Sequence, residues 1–322
     1  MKDYKDSTIL VIGAGTMGHS MALVMAAAGL KTYMTSRHDE TLAQADARIQ
    51  SALDILISEG MATDETREVV AANLIPMKTD DIPQIAAEVD YVFETVVENK
   101  DAKRAVYEML DGCLRDDCIV SSNTSGMDVF TLTDGVLSHP ENYMVAHWFN
   151  PPHLMKLVEV VRGEATSDEA VDAMVGLLEF VGRKPAVLNK FAPGFIVNRL
   201  ATVINRELYY MIDEGWISGA DAEKAIKYTH GLRFGFEGPI SLWDFVGLEI
   251  PRTVAEGVLP SLCNETEGLR LADDLIAQGK TGVRAGEGVL TYPPVDEYIA
   301  KRSRRVVQMT KVVEQWDAED GE

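Results

Sequence analysis

Thr8-Ile9-Leu10-Val11-Ile12-Gly13-Ala14-Gly15-Thr16-Met17-Gly18 is a short apolar run that breaks into Gly-x-Gly-x-x-Gly, and an Ala- and Met-rich segment follows through Ala28. The order is strand, glycine turn, helix. Each glycine has a different task in that order. Gly13 permits the tight turn out of the strand, Gly15 removes a side chain where backbone must approach a pyrophosphate, and Gly18 lets the next helix pack close to the sheet. Thr16 and Met17 complete the loop. The helix N-terminus then offers free N–H groups and a positive dipole end to phosphates. Gly13, Gly15, Thr16, Met17 and Gly18 are therefore expected to hold a dinucleotide.

Composition narrows the partners. In 322 residues, 51 acidic side chains face 30 basic ones, a formal net charge of −21. That excess argues against nucleic acid or an anionic membrane and leaves a small molecule as the expected partner. The length suits two domains. Cys113, Cys118 and Cys263 have no metal-ligand spacing, and an odd count argues against a disulfide framework. The polar start Met1-Lys2-Asp3-Tyr4-Lys5-Asp6 does not read as a signal peptide, and no apolar run reaches membrane-spanning length. A cytoplasmic protein without a metal is expected.

Beyond the first helix, strands are expected at 31–35, 91–94, 118–120, 143–147, 157–161 and 185–188, separated by helices at 39–58, 64–72, 100–114 and 168–181. This alternation predicts an α/β doubly wound sheet. Phe191-Ala192-Pro193-Gly194 breaks the pattern. After it only helices are expected, beginning with a long, mostly buried one at 195–215. The division is residues 1–190, a dinucleotide-binding domain; 191–294, an all-helical domain; and 295–322, a helical tail with a frayed acidic end.

At the end of the second strand stand Ser36 and Arg37. An acidic residue there would bind the adenosine ribose of NAD, and would repel a 2′-phosphate by about 4 kcal/mol per charge pair at 4 Å. Arg37 reverses that sign and suits NADP. A solvated Arg37 with NAD still used is the alternative, since Ser36 can also hydrogen-bond a ribose.

His147 ends one expected strand, and Glu159 lies between valines in the next. A charge in a buried strand is costly unless paired. A carboxylate on one imidazole nitrogen would leave the other as a general base. The residue types alone equally allow a structural Glu159 paired with a lysine and a His147 that is merely hydrogen-bonded in a loop.

The chain resembles the L-3-hydroxyacyl-CoA dehydrogenase family from end to end. The resemblance rests on Gly13–Gly18, Val97-Glu98-Asn99, Ser122-Asn123-Thr124-Ser125, His147-Trp148-Phe149-Asn150-Pro151, Met155–Val161, Pro193–Leu200, Gly238-Pro239, Asp244–Leu248 and Gly286-Glu287-Gly288. It implies a Rossmann domain followed by a helical dimerisation domain, and reversible NAD(P)-dependent oxidation of an L-3-hydroxy group. It also implies roles: His147 as general base, Glu159 as its orienting partner, Ser125 and Asn198 on the substrate oxygen. Glu98 and Lys103 would lie near the nicotinamide ribose, and Lys280 near the cofactor. The chain departs from the family at Ser36, where Asp is usual, and at Trp148, where Phe is common. It also has Ala52 and Glu59 where coenzyme A-using members often place Ser and Lys. An acidic surface there would oppose a polyanionic coenzyme A tail. A small non-CoA 3-hydroxy compound (sugar acid, carnitine-like or heterocyclic alcohol) is thus the alternative substrate, and Arg233 could pair with its carboxylate.

Overall fold

A computed structural model describes residues 4–320. Residues 1–3 of the polar N-terminal run and 321–322 of the acidic end lie outside the described residues. The chain divides into two compact units, 1–199 and 200–322.

The first unit is built on β1 (Thr8–Ile12), β2 (Lys31–Ser36), β3 (Leu74–Lys78), β4 (Tyr91–Glu94), β5 (Ile119–Ser122), β6 (Tyr143–Trp148), β7 (Leu157–Arg162) and β8 (Lys184–Leu188). They form one sheet in the order β3-β2-β1-β4-β5-β6-β7-β8. Every pairing is parallel except β6 with β7. The reversal of strand direction of growth at β1 is the doubly wound arrangement, with its ligand edge at the C-terminal strand ends. Helices α1 (Gly18–Ala27), α2 (Asp39–Ser58), α3 (Asp64–Asn73), α4 (Ile82–Ile85), α5 (Lys100–Asp111), α6 (Phe130–Thr133) and α7 (Asp168–Phe180) connect the strands. β1 is buried throughout and feeds two cores by its alternation: Ile9 and Val11 join one cluster with α1 and α7, Leu10 and Ile12 the other with α5.

One strand was not expected. β3 runs through Pro76, which reads as a break. It sits at the sheet edge, where a residue without an N–H costs no ladder bond on its open side.

Helices α8 (Val197–Asp213), α9 (Gly219–Lys227), α10 (His230–Arg233), α11 (Pro239–Val246), α12 (Glu249–Val258), α13 (Arg270–Ala277) and α14 (Val295–Asp320) make up the rest. The second unit holds no named strand among its described residues. The expectation that the long helix is mostly buried fails: no residue of α8 is buried, and Leu200 and Val203 are each 54% exposed. Leu208, Met211 and Ile212 of its C-terminal half are partly covered, while Leu200, Val203 and Ile204 nearer its start are exposed.

Candidate active site

The three motif glycines separate cleanly by what surrounds them. Gly13 has φ +107°, and a Cβ on it would lie 2.8 Å from Thr95 Oγ1. A Cβ on Gly18 would lie 1.7 Å from the carbonyl oxygen of Gly13. Both are therefore required by the protein's own packing. Gly15 is different: a Cβ there would meet nothing within 4 Å, and its φ is ordinary. No described protein atom requires a glycine at 15, and its absent side chain leaves the loop backbone open to close approach. Thr16 and Met17 lie in the same loop, Met17 as the N-cap of α1. His19 in the first turn of α1 hydrogen-bonds the Gly15 carbonyl through Nδ1 at 2.6 Å, steadying the loop from below.

At the end of β2, Ser36 is buried and its Oγ accepts from the His38 N–H at 3.2 Å, while Arg37 is exposed.

The meeting of His147 and Glu159 follows from strand register. β6 and β7 are antiparallel, and His147 lies directly opposite Glu159. Directly paired residues share a sheet face, so the two side chains meet. His147 Nδ1 is 2.8 Å from Glu159 Oε2. Because the acceptor is a carboxylate, Nδ1 carries the proton and Nε2 is left as the base. The other Glu159 oxygen accepts from the N–H groups of Ile196 at 2.8 Å and Val197 at 2.9 Å, the start of α8. Glu159 is fully buried. Burial pushes its carboxyl up, but the His147 bond and the Val197 and Ile196 N–H groups outweigh it and hold it below the ordinary carboxylate range. Phe149 and Phe195 wall the imidazole, with ring centroids 4.6 and 5.4 Å away. Phe195 adopts φ +51°, a conformation rare for a side-chain-bearing residue, directly before the two amides that grip Glu159.

A cleft of about 330 Å³ opens in front of this pair, lined by Met17, Thr95, Glu98, Ser125, His147 and Asn198 among others. The expected substrate-oxygen residues are neighbours: Asn198 Nδ2 donates to the Ser125 carbonyl at 2.9 Å. Glu98 accepts from the Ser125 N–H at 3.3 Å and from the Thr124 hydroxyl. The indole N–H of Trp148, on the cleft wall, has no partner among the described residues.

Two of the expected cofactor residues make ion pairs within the protein. Lys103 does not reach the cleft surface: its side chain has no exposed area. Its ammonium lies 2.9 Å from both oxygens of Glu94, because α5 turns it inward beneath the sheet edge. Lys280 belongs to the second unit, where it pairs with Glu287 at 2.7 Å. Glu94, a carboxylate ending the buried run Tyr91-Val92-Phe93, carries the same sequence signal as Glu159. Asn123, Thr124 and the N–H groups of Ile196 and Val197 carry no such signal. Asn123 Oδ1 accepts from the backbone N–H of Trp148 at 2.8 Å and so fixes the end of β6.

Comparison with known proteins gives one family across both units. The family model described as 3-hydroxyacyl-CoA dehydrogenase, NAD binding domain, matches residues 8–191. The C-terminal domain model of the same family matches residues 194–292. A relative from Mesorhizobium japonicum, 5-formyl-3-hydroxy-2-methylpyridine 4-carboxylate 5-dehydrogenase, is 30% identical over 95% of this chain and 98% of its own. The pig mitochondrial hydroxyacyl-coenzyme A dehydrogenase is 30% identical over 88% and 90%. Among solved structures, that of a 5-formyl-3-hydroxy-2-methylpyridine 4-carboxylic acid 5-dehydrogenase, described as an NAD+-dependent dismutase, superposes with a TM-score of 0.86 at 30% identity, covering 96% of this chain and 99% of that one. The (S)-3-hydroxybutyryl-CoA dehydrogenase of Ralstonia eutropha gives 0.73 at 29% identity, covering 89% and 99%. No helix among the described residues is long and apolar enough to cross a membrane. With a Rossmann-like sheet, a buried His–Glu pair at its ligand edge and both domain models matched, the chain belongs to the 3-hydroxyacyl-CoA dehydrogenase family of NAD-dependent oxidoreductases acting on CH–OH groups.

Proposed function

We propose that this protein interconverts a 3-hydroxy compound and its ketone, with His147 as general base and Glu159 as its orienting partner. The observation that carries the proposal is the buried His147–Glu159 contact at 2.8 Å, in which the second carboxylate oxygen is locked by two backbone amides. Glu159 cannot swing, so Nδ1 stays protonated and Nε2 stays free to accept. In the oxidising direction Nε2 takes the hydroxyl proton while the C3–H bond breaks. The nicotinamide, when bound on the Gly13–Gly18 loop, supplies the hydride acceptor. Ser125 and Asn198 hold the substrate oxygen as it becomes a carbonyl. Glu98 faces the cofactor from the same cleft.

Two readings of the substrate differ in the handle. A coenzyme A ester fits the family. A small heterocyclic or other free hydroxy acid is favoured by the higher TM-score to the pyridine-compound dehydrogenase and by the charge of α2–α3. There Asp54 and Gln50 already bind Arg67, one of the few cations on that face. Acetoacetyl-CoA with reduced cofactor, and 5-formyl-3-hydroxy-2-methylpyridine 4-carboxylate, whose 5-formyl carbon rather than its aromatic hydroxyl would exchange hydride, with reduced and oxidised cofactor, each followed at 340 nm, separate the two. Turnover of the pyridine compound alone removes the coenzyme A reading, and turnover of the thioester alone removes the other. Absence of any His147-dependent turnover across these and free 3-keto acids sinks the proposed reaction.

Arg37 beside a neutral Ser36 supports NADP as well as NAD, with NADP slightly favoured. Tighter NADH than NADPH binding, unchanged in Arg37→Ala, refutes that preference. The exposed apolar side chains of the second unit, among them Ile240 at 80% and Phe245 at 83%, support a homodimer, which light scattering on the purified chain tests. The free thiols of Cys113, Cys118 and Cys263 suit a reducing cytoplasm.

A further inference from the structure

Two consecutive residues at the start of α1 reach two different loops. His19 Nδ1 holds the Gly15 carbonyl at 2.6 Å, inside the turn that the three glycines shape. Ser20 is fully buried. Its Oγ lies 2.6 Å from His153 Nδ1 and accepts from the His153 backbone N–H at 3.1 Å. One hydroxyl thus meets both the side chain and the main chain of a residue 133 positions on.

His153 belongs to a turn with supports of its own. The N–H groups of Leu154 and Met155 both donate to the Pro151 carbonyl at 3.0 Å. Arg183, also buried, donates from Nη1 to the Pro152 carbonyl at 3.0 Å. Immediately before the turn come Phe149 and Asn150, which line the cleft, and Phe149 stands against the His147 imidazole. In the sheet, β1 and β6 are separated by β4 and β5. At about 4.8 Å per strand step, about 14 Å separates the strand that leads into the glycine turn from the strand that carries His147. The Ser20–His153 contact spans this interval from α1, without passing through the intervening strands.

We infer that Ser20 and His153 are positioning residues: their contact ties the glycine-loop helix to the turn behind Phe149 and Asn150, and so sets the gap across which hydride passes. The inference rests on the reading of Gly13–Gly18 as the dinucleotide seat and of His147 as the base. Reacting atoms must come within about 3–3.5 Å, and a misplacement of about 1 Å can cost about 10²-fold in rate. A cofactor seated on one element and a base mounted on another meet that tolerance only if the two elements are fixed to each other. Burial, then His19 and Arg183, lowers the His153 pKa to about 4, so the imidazole is neutral near pH 7. Asparagine therefore places a neutral polar atom where Nδ1 stands, whereas phenylalanine keeps the ring and removes the nitrogen.

The test is single-turnover NADH oxidation at 340 nm, with NADH affinity measured by fluorescence, in Ser20→Ala, His153→Phe, His153→Asn and Ser20→Ala/His153→Phe. The oxidant is acetoacetyl-CoA, or 5-formyl-3-hydroxy-2-methylpyridine 4-carboxylate where the thioester is inert. Ser20→Ala and His153→Phe should each transfer hydride about tenfold more slowly, with NADH affinity within about threefold of the unmodified protein. The double variant should be no slower than the slower single one, because residues that act through one contact lose it once. His153→Asn should keep the rate within about threefold, since the polar atom is retained. Folded Ser20→Ala and His153→Phe variants that transfer hydride at the unmodified rate overturn the inference. So does a His153→Asn as slow as His153→Phe, which would show that the polar contact is not what matters. Those outcomes leave the reading of the site standing. An unmodified protein that binds no NADH, or a His147→Gln that transfers hydride at the unmodified rate, overturns that reading and the inference with it. Should the variants not fold, or neither compound be turned over, hydrogen exchange on the unmodified protein decides. NADH should slow amide exchange in both 13–22 and 153–156, because the contact joins them. Slowing confined to 13–22 overturns the inference.

Discussion

Glu159→Gln is the most informative single substitution, because the structure dictates which way the new amide must face. The carboxylate makes three bonds: one oxygen takes the His147 Nδ1–H, the other the Ile196 and Val197 N–H groups. Glutamine keeps the shape but has only one oxygen. Two backbone donors compete for it against a single imidazole donor, so the oxygen stays with the amides and the NH2 group faces Nδ1. Nδ1 must then accept, and the proton moves to Nε2, the nitrogen that should be vacant for substrate. The base is lost while the fold is kept. General base catalysis is worth about 10²–10⁴-fold, so kcat should fall by about that factor. The exchange of charged for neutral acceptors costs about 1 kcal/mol per bond, a shift of a few degrees in the melting temperature. Glu159→Ala differs. It leaves two amides unsatisfied at about 1–3 kcal/mol each, for a melting temperature lower by roughly 5–20 °C. Single-turnover hydride transfer at 340 nm and thermal unfolding of both variants give the comparison. A glutamine variant with kcat within threefold of the unmodified enzyme refutes the tautomer reasoning, and an alanine variant as stable as the parent refutes the structural half.

Gly15→Ala should melt like the unmodified protein and bind NADH at least about tenfold more weakly, whereas Gly18→Ala should be destabilised outright, since only the second Cβ meets protein; equal melting of the two contradicts the division of labour. His153 Nδ1 lies 2.6 Å from the Ser20 hydroxyl, and burial, then the neighbouring His19 and Arg183, pushes it from 6.5 down to about 4. Between those values the unfolded chain takes up a proton that the folded one refuses, so stability rises with pH across that window and is lost on acidification, by up to about 3 kcal/mol. Urea midpoints at pH 4.5 and 7 should lie closer together in His153→Asn, and an unchanged gap rejects the assignment. Glu159 contributes its acid loss separately, at lower pH, because its folded carboxyl is held below the ordinary range.

Local signals in the sequence carried further than tertiary ones. The strand–turn–helix of residues 8–27, α2 at Asp39–Ser58 and the alternation of strands and helices follow from short-range geometry, and the structure has each of them. Glu159 was legible because a carboxylate between valines must have a partner, and His147 was the partner within one antiparallel register. Lys103 was not legible in the same way. A lysine in the first turn of a helix reads as solvent-facing or ligand-facing, and only the return of β4 beside β5 brings Glu94 and Ser122 onto it. The grip of Ile196 and Val197 on Glu159 was hidden for a similar reason: backbone donors have no identity in a sequence. β3 carries no strand signal of its own, since Pro76 is tolerated there only because β3 is an edge strand.

The central claim is that the His147 imidazole takes the substrate proton. The direct measurement is single-turnover hydride transfer in His147→Gln, a side chain that can still donate to Glu159, alongside NADH affinity. The account predicts NADH binding within about twofold of the unmodified enzyme and hydride transfer slower by about 10²–10⁴-fold. Transfer within threefold of the unmodified rate, with NADH binding intact, would contradict it.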